Sequence, residues 1–120
     1  MTYVFKICLA EIWAEAEQKG VFTGAGIDLT DGFIHFSTAE QVAETAFLHF
    51  NAIGGLVLVA VPVDAIDLVW EPSRGGTLFP HLYGTLDVAK AASVEPLAVG
   101  DDGLHVFPAA IPPYHPVVKT

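Results

Sequence analysis

The sequence predicts an α+β fold, a mainly antiparallel sheet with two helices in the N-terminal half. Three observations lead to it. Apolar residues recur at helical spacing in two segments, both before residue 51. Short runs of β-branched and aromatic residues, separated by glycine-containing turns, fill most of the second half. Between them Leu56–Val61 (LVLVAV) is an unbroken apolar run, which reads as a strand buried on both faces. No repeat, linker or low-complexity block divides the chain, so a single domain over residues 1–120 is expected.

Each element has its own local warrant. Tyr3–Cys8 (YVFKIC) is rich in β-formers and reads as the first strand. Leu9, Ile12, Trp13 and Ala16 follow helical spacing, with Glu11, Glu15, Gln18 and Lys19 on the other face and Gly20 as the stop. The stretch 21–32 reads as loop, because Gly24, Gly26 and Asp31-Gly32 are turn signals. Phe33–Phe36 is a short strand. Ser37-Thr38-Ala39-Glu40 then has the capping-box spacing, with Ser37 at the cap and Glu40 three residues on. Ala39, Val42, Ala43, Ala46, Phe47 and Phe50 form the apolar stripe of the second helix, and Gly54-Gly55 closes that segment. Leu68–Trp70 and Thr77–Leu82 are strands flanking a Ser-Arg-Gly-Gly turn. Ser93–Val99 is another strand, Asp101-Asp102-Gly103 a turn and His105–Phe107 a last strand. From Ala109 the chain carries three prolines and reads as an extended tail.

Composition narrows the function. Fourteen acidic residues stand against five basic ones, for a formal net charge of -9. That balance argues against a general nucleic-acid binder, whose affinity comes from basic patches, though an RNA end held by a few local contacts is compatible with it. Cys8 is the single cysteine, so no disulfide framework or cysteine-based metal site exists, and its apolar surroundings suggest a buried, inert thiol. The longest uncharged apolar run, Ala52 to Val63, is short of the ~20 residues that span a bilayer. Glu11 interrupts the first apolar stretch, which makes a poor secretory signal. A soluble, cytoplasmic protein is expected.

Two strings hold the groups capable of chemistry. In Asp31–Thr38 (DGFIHFST), strand alternation puts Phe33, His35 and Ser37 on one face. His35 reads either as a satisfied core histidine or as a ligand contact. Ser37 and Thr38 lie at a helix start, where free backbone N–H groups favour anions such as phosphate. In Trp70–Gly84 (WEPSRGGTLFPHLYG) stands Arg74, the one arginine of an acidic protein, which reads either as a structural salt bridge to one of many acids or as a planar fork for a phosphate or carboxylate. Phe79, His81 and Tyr83 share a strand face that can hold a ribose and stack a ring. Glu71 beside Trp70 reads either as an exposed strand-end carboxylate or as a partly desolvated one, whose raised pKa would suit acid–base work. No HxH, HExxH or CxxC spacing is present, so no metal is expected.

The strings 31–42 (DGFIHFSTAEQV) and 70–86 (WEPSRGGTLFPHLYGTL), with the Tyr3–Gly24 unit and the Gly100–Gly103 turn, resemble the family known as domain of unknown function 952. The resemblance covers nearly the whole chain. It implies a fold distantly related to the ADP-ribosyltransferases, whose split antiparallel sheet forms a cleft for NAD or an ADP-ribosyl group. By that resemblance His35 contacts a ribose, while Tyr83 and His81 support the nicotinamide side. The late-strand glutamate motif of toxin-like members of that fold has no clear counterpart. Glu95 stands at a possible position, and Glu71 has the better local company.

The first functional expectation is therefore an enzyme that uses NAD as co-substrate, or ADP-ribose, and acts at the ribose anomeric carbon. Glu71, His35 and His81 are its candidate catalytic residues. Ser37, Thr38, Arg74, Phe79 and Tyr83 are the candidate binding residues. The alternatives are a non-catalytic module for a nucleotide-like small molecule and a protein-interaction domain that docks through its proline-bearing end.

Overall fold

The structure, a computed structural model, describes residues 2–112 and 114, apart from the side chain of Arg74. In chain order the elements are β1 (Tyr3–Leu9), α1 (Ala10–Lys19), β2 (Val21–Phe22), α2 (Ile27–Asp31), β3 (Ile34–His35), β4 (Ser37–Thr38), α3 (Ala39–Phe50), β5 (Leu56–Pro62), β6 (Val69–Ser73), β7 (Thr77–Leu82), β8 (Leu86–Asp87) and β9 (Ser93–Leu97). The strands form a four-stranded sheet in the order β4-β1-β5-β9, a three-stranded sheet β3-β7-β6 and a β2-β8 ribbon. Every named pairing is antiparallel. The fold is thus α+β, as the periodicity predicts.

The four-stranded sheet separates two cores, which is why β5 is apolar throughout. Val57, Val59 and Val61 face a core that also holds Val4, Cys8, Trp13 and Ala16 of α1, Phe22, and Ile34, Phe36 and Leu82 from the second sheet region. Leu56 and Leu58 face the opposite core with Ile7, Leu97 and the α3 stripe Val42, Ala43 and Ala46. Gly20 closes α1 in the left-handed conformation, as expected. Cys8 is 2% exposed, and burial pushes its thiol up to about 11 against the opposing charge of Lys6.

Four local expectations change. The stretch 21–32 is not plain loop: it contains β2 and the short helix α2, which ends on Gly32 with its N–H on the Asp28 carbonyl (2.9 Å). The expected strand at 33–36 narrows to Ile34–His35, and the chain then changes sheets. Ile34 and His35 pair with β7, whereas Ser37 and Thr38 pair with β1, so the chain changes sheets at Phe36. The cap of α3 is Thr38 rather than Ser37, in a box with Gln41 rather than Glu40. Gln41 Oε1 accepts from the Thr38 N–H at 3.0 Å, and its Nε2 donates to the Leu78 carbonyl at 2.8 Å, which ties α3 to β7. The Ser37 hydroxyl instead meets Thr45 Oγ1 at 3.0 Å. Finally, the expected strand at 105–107 is reduced to a single bridge between Val99 and His105. The tail from residue 115 onward, with Pro113, lies outside the described residues.

The position of the cap has a measurable consequence. Thr38→Ala should cost about 1 kcal/mol in urea unfolding, the usual value of a lost helix cap. Glu40→Ala, on the exposed side of the first turn, should cost less than half of that. The reverse order would restore Ser37 and Glu40 as the capping pair.

Candidate functional site

Sheet register brings the functional side chains together. His35 of β3 and His81 of β7 are direct cross-strand partners, and their rings meet edge-on with centroids 5.2 Å apart. Phe33 lies against both: its ring is 4.2 Å from His81 in a stacked arrangement and 4.6 Å from His35. Tyr83 continues the same strand face and lies 5.1 Å from Phe33. On the neighbouring strand β6, Val69 opposes His81, so Glu71 sits diagonally across from it, within reach of a side chain. Its Oε1 is 2.8 Å from His81 Nδ1 and accepts from the Tyr83 hydroxyl at 2.8 Å.

These contacts decide the charge of Glu71. The hydrogen bond from His81, then that from Tyr83, holds its carboxyl below the usual range. The same bond pushes the Tyr83 phenol up, since losing the proton would abolish it. Of the two readings of Glu71, the carboxyl raised by burial beside Trp70 therefore gives way to the open strand-end carboxylate. Trp70 alternates to the other side of β6, where it lines a depression of about 510 Å³ with Tyr3, Asp64 and Asp67. Glu71 is an ionised acceptor, so His81 carries its proton on Nδ1.

His35 is fixed by a second carboxylate. Asp28 Oδ1 is 2.6 Å from His35 Nδ1 and accepts from the His35 backbone N–H at 3.0 Å. Its other oxygen meets Lys6 Nζ at 2.7 Å and accepts from the Ala25 N–H at 3.0 Å. Lys6 also donates to the His35 carbonyl at 3.1 Å. The side chains of this pair are only 8% and 1% exposed. Burial opposes ionisation of Asp28, but the charge and hydrogen bond of Lys6, with the Ala25 and His35 donors, outweigh it and keep the carboxyl below its ordinary range. Gly24 makes room for this arrangement: a Cβ there would lie 2.9 Å from the Asp28 Cβ, on a backbone with φ +120°.

Of the residues singled out in the sequence, the structure brings His35, His81, Glu71 and Tyr83 into one cluster. Ser37 is buried and bonded to Thr45, and Thr38 caps α3, so neither hydroxyl belongs to it. Phe79 is buried rather than open as a stacking platform, and Phe33 takes that place. The backbone of Arg74 opens the turn between β6 and β7, while its side chain lies outside the described residues. Glu95 lies on β9, paired with Leu58, in the other main sheet. Lys6 and Asp28 have no role in the sequence reading, Asp31 only that of a turn residue and Phe33 only that of a neighbour on the His35 face. Lys6 carried the clearest signal, a lone charge on the inward face of an apolar strand.

The sequence profile described as "Protein of unknown function (DUF952)" matches residues 7–94. The chain belongs to this family. Among solved structures, protein CC0527 from Caulobacter crescentus is similar to this DUF952 protein. Its crystal structure is 42% identical, with a TM-score of 0.84, over 88% of this chain and 94% of that one. The solution NMR structure of CC0527 is 44% identical, with a TM-score of 0.76, over 87% and 91%. Nothing among curated proteins matches the chain. Among the described residues, no helix is long and apolar enough to cross a membrane, and no group of three or more His, Cys, Asp or Glu is arranged to hold a metal ion.

The Lys6–Asp28 pair predicts how this DUF952 protein responds to mutation and acid. Asp28→Asn keeps the shape but leaves Lys6 buried without its counter-charge, at a cost of about 3–5 kcal/mol in denaturant unfolding. Because the folded carboxyl titrates below its unfolded value, the stabilisation is complete above about pH 4–5. It is lost as pH falls through the folded value. Melting temperature should therefore drop at low pH in the native protein, and the drop should be shallower in Asp28→Asn. An equally steep acid drop in both proteins would assign it elsewhere.

Proposed function

We propose that this protein handles an NAD- or ADP-ribose-like molecule at the Phe33–His35–Glu71–His81–Tyr83 cluster, with transfer or hydrolysis at the ribose anomeric carbon. The observation that carries this reading is the state of Glu71. It is held as an anion by two donors and stands beside stacked aromatic rings. Such a group is poorly suited to deliver a proton and well suited to face positive charge.

Cleavage at the anomeric carbon develops that charge. The bond from C1′ to the leaving base breaks, the electron pair departs with the base, and the sugar becomes oxocarbenium-like until water or an acceptor bonds to C1′ and releases its proton to solvent. A fixed carboxylate stabilises that state without reorganising during the reaction. Phe33 and Tyr83 offer apolar faces for a ring. His81 orients Glu71 through Nδ1, and Tyr83 does so through its hydroxyl.

A second reading, a non-catalytic binding module, is favoured by one observation: Glu71 and Tyr83 are open to solvent rather than enclosed. Calorimetric titration of NAD and ADP-ribose, together with a turnover assay, separates the two. The enzyme reading predicts that Glu71→Gln keeps ligand affinity within a few fold and loses turnover by about a hundredfold or more. Binding without turnover in the native protein would leave the module. No binding of either ligand would remove the ADP-ribose reading.

A further inference from the structure

We propose that Asp31 occupies an anion-binding position on His35, and that the ligand which displaces it presents a phosphoryl group. His35 is held through both ring nitrogens, by Asp28 at Nδ1 (2.6 Å) and by Asp31 at Nε2 (3.0 Å). The two carboxylates are not equivalent. Asp28 is buried and accepts from four donors, so it is part of the scaffold. Asp31 is 41% exposed, ends the five-residue helix α2, and reaches His35 from four residues away. His35 is the one ionic partner of its carboxylate among the described residues.

Hydrogen-bond roles show what the contact does. An ionised carboxylate only accepts, so the bond to Asp28 engages Nδ1 and leaves Nε2 as the ring edge that Asp31 faces. Lys6 is the lysine that meets Asp28, while the Asp31 carboxylate stands 3.0 Å from Nε2. When Asp31 turns into solvent, the Nε2 edge beside Phe33 and His81 is left without its anion. Glu71 is the other anion of the cluster, and its accepting oxygen is already engaged by His81 and Tyr83. The Nε2 edge of His35 is therefore built to hold an oxyanion, and Asp31 is an internal stand-in for one.

The tether selects the ligand. An intramolecular carboxylate acts at high effective concentration, so a free carboxylate of equal charge competes poorly. A phosphoryl group carries up to two negative charges and three acceptor oxygens, and it competes better. The proposal rests on the function above only for the rest of the ligand: a ribose 5′-phosphate or diphosphate would bring its sugar toward Glu71.

The test is calorimetric titration of inorganic phosphate and, separately, acetate into the native protein and Asp31→Asn. Asp31→Asn should bind phosphate about tenfold or more tightly than the native protein, with acetate weak in both. Adding His35→Gln to Asp31→Asn should abolish the gain. Where that double variant fails to fold, the ¹⁵N resonance of His35 Nε2 in Asp31→Asn should shift on adding phosphate. Phosphate affinity unchanged by Asp31→Asn, a gain that survives without His35, or a silent Nε2 resonance would overturn the site. Equal gains for acetate and phosphate would overturn the phosphoryl assignment. A phosphate gain without ADP-ribose binding would sink the ADP-ribose reading and leave this site standing. ADP-ribose turnover with no phosphate gain would do the opposite.

Discussion

Asp28 is the joint on which the site depends. It lies in a short helix between two sheets, and its carboxylate receives Lys6 from β1, a backbone N–H from the preceding turn, and both the backbone and ring of His35 from β3. Lys6 reaches across to the His35 carbonyl as well. A buried ion pair is weak evidence for net stability, because desolvation offsets much of the attraction. Its value here is positional. The strand β3 has only two residues, too few for ladder hydrogen bonds to fix a ring, and Asp28 supplies the missing constraint.

The second half of the site follows from register. Antiparallel pairing sets His35 opposite His81, and the diagonal sets Glu71 beside His81. A one-residue slip of β7 would turn His81 and Tyr83 to the opposite face and bring Leu82 in their place. Each histidine thus has Nδ1 on a carboxylate, one buried and one half-open. The difference in exposure separates them: the buried pair fixes β3, and the half-open one meets solvent.

Much of this was legible in the chain. Strands β1, β5 and β7 and helices α1 and α3 announce themselves by periodicity, and the shared face of His81 and Tyr83 follows from strand parity alone. What was hidden has physical reasons. Helix α2 is five residues between glycines, too short for a periodic signal, and it reads as a turn. The sheet change at Phe36 leaves no mark, because Ile34 and Phe36 are buried whichever sheet they join. Ser37-Thr38 followed by Glu40-Gln41 offers two capping boxes one residue apart, and only packing chooses between them. The direction of the Glu71 shift depends on donors ten and twelve residues away. Lys6 was the readable clue to Asp28: a lysine on the inward face of an apolar strand demands a buried acid, though the sequence does not say which.

The bond between His35 Nδ1 and Asp28 fixes the ring on which the site is built, and imidazole ¹H–¹⁵N spectroscopy observes it directly. The prediction is a His35 Nδ1–H proton that exchanges slowly with water, lies far downfield as a short charge-assisted hydrogen bond requires, and disappears in Asp28→Asn. A His35 ring whose protons exchange as freely as those of an exposed histidine, unchanged by Asp28→Asn, would contradict it.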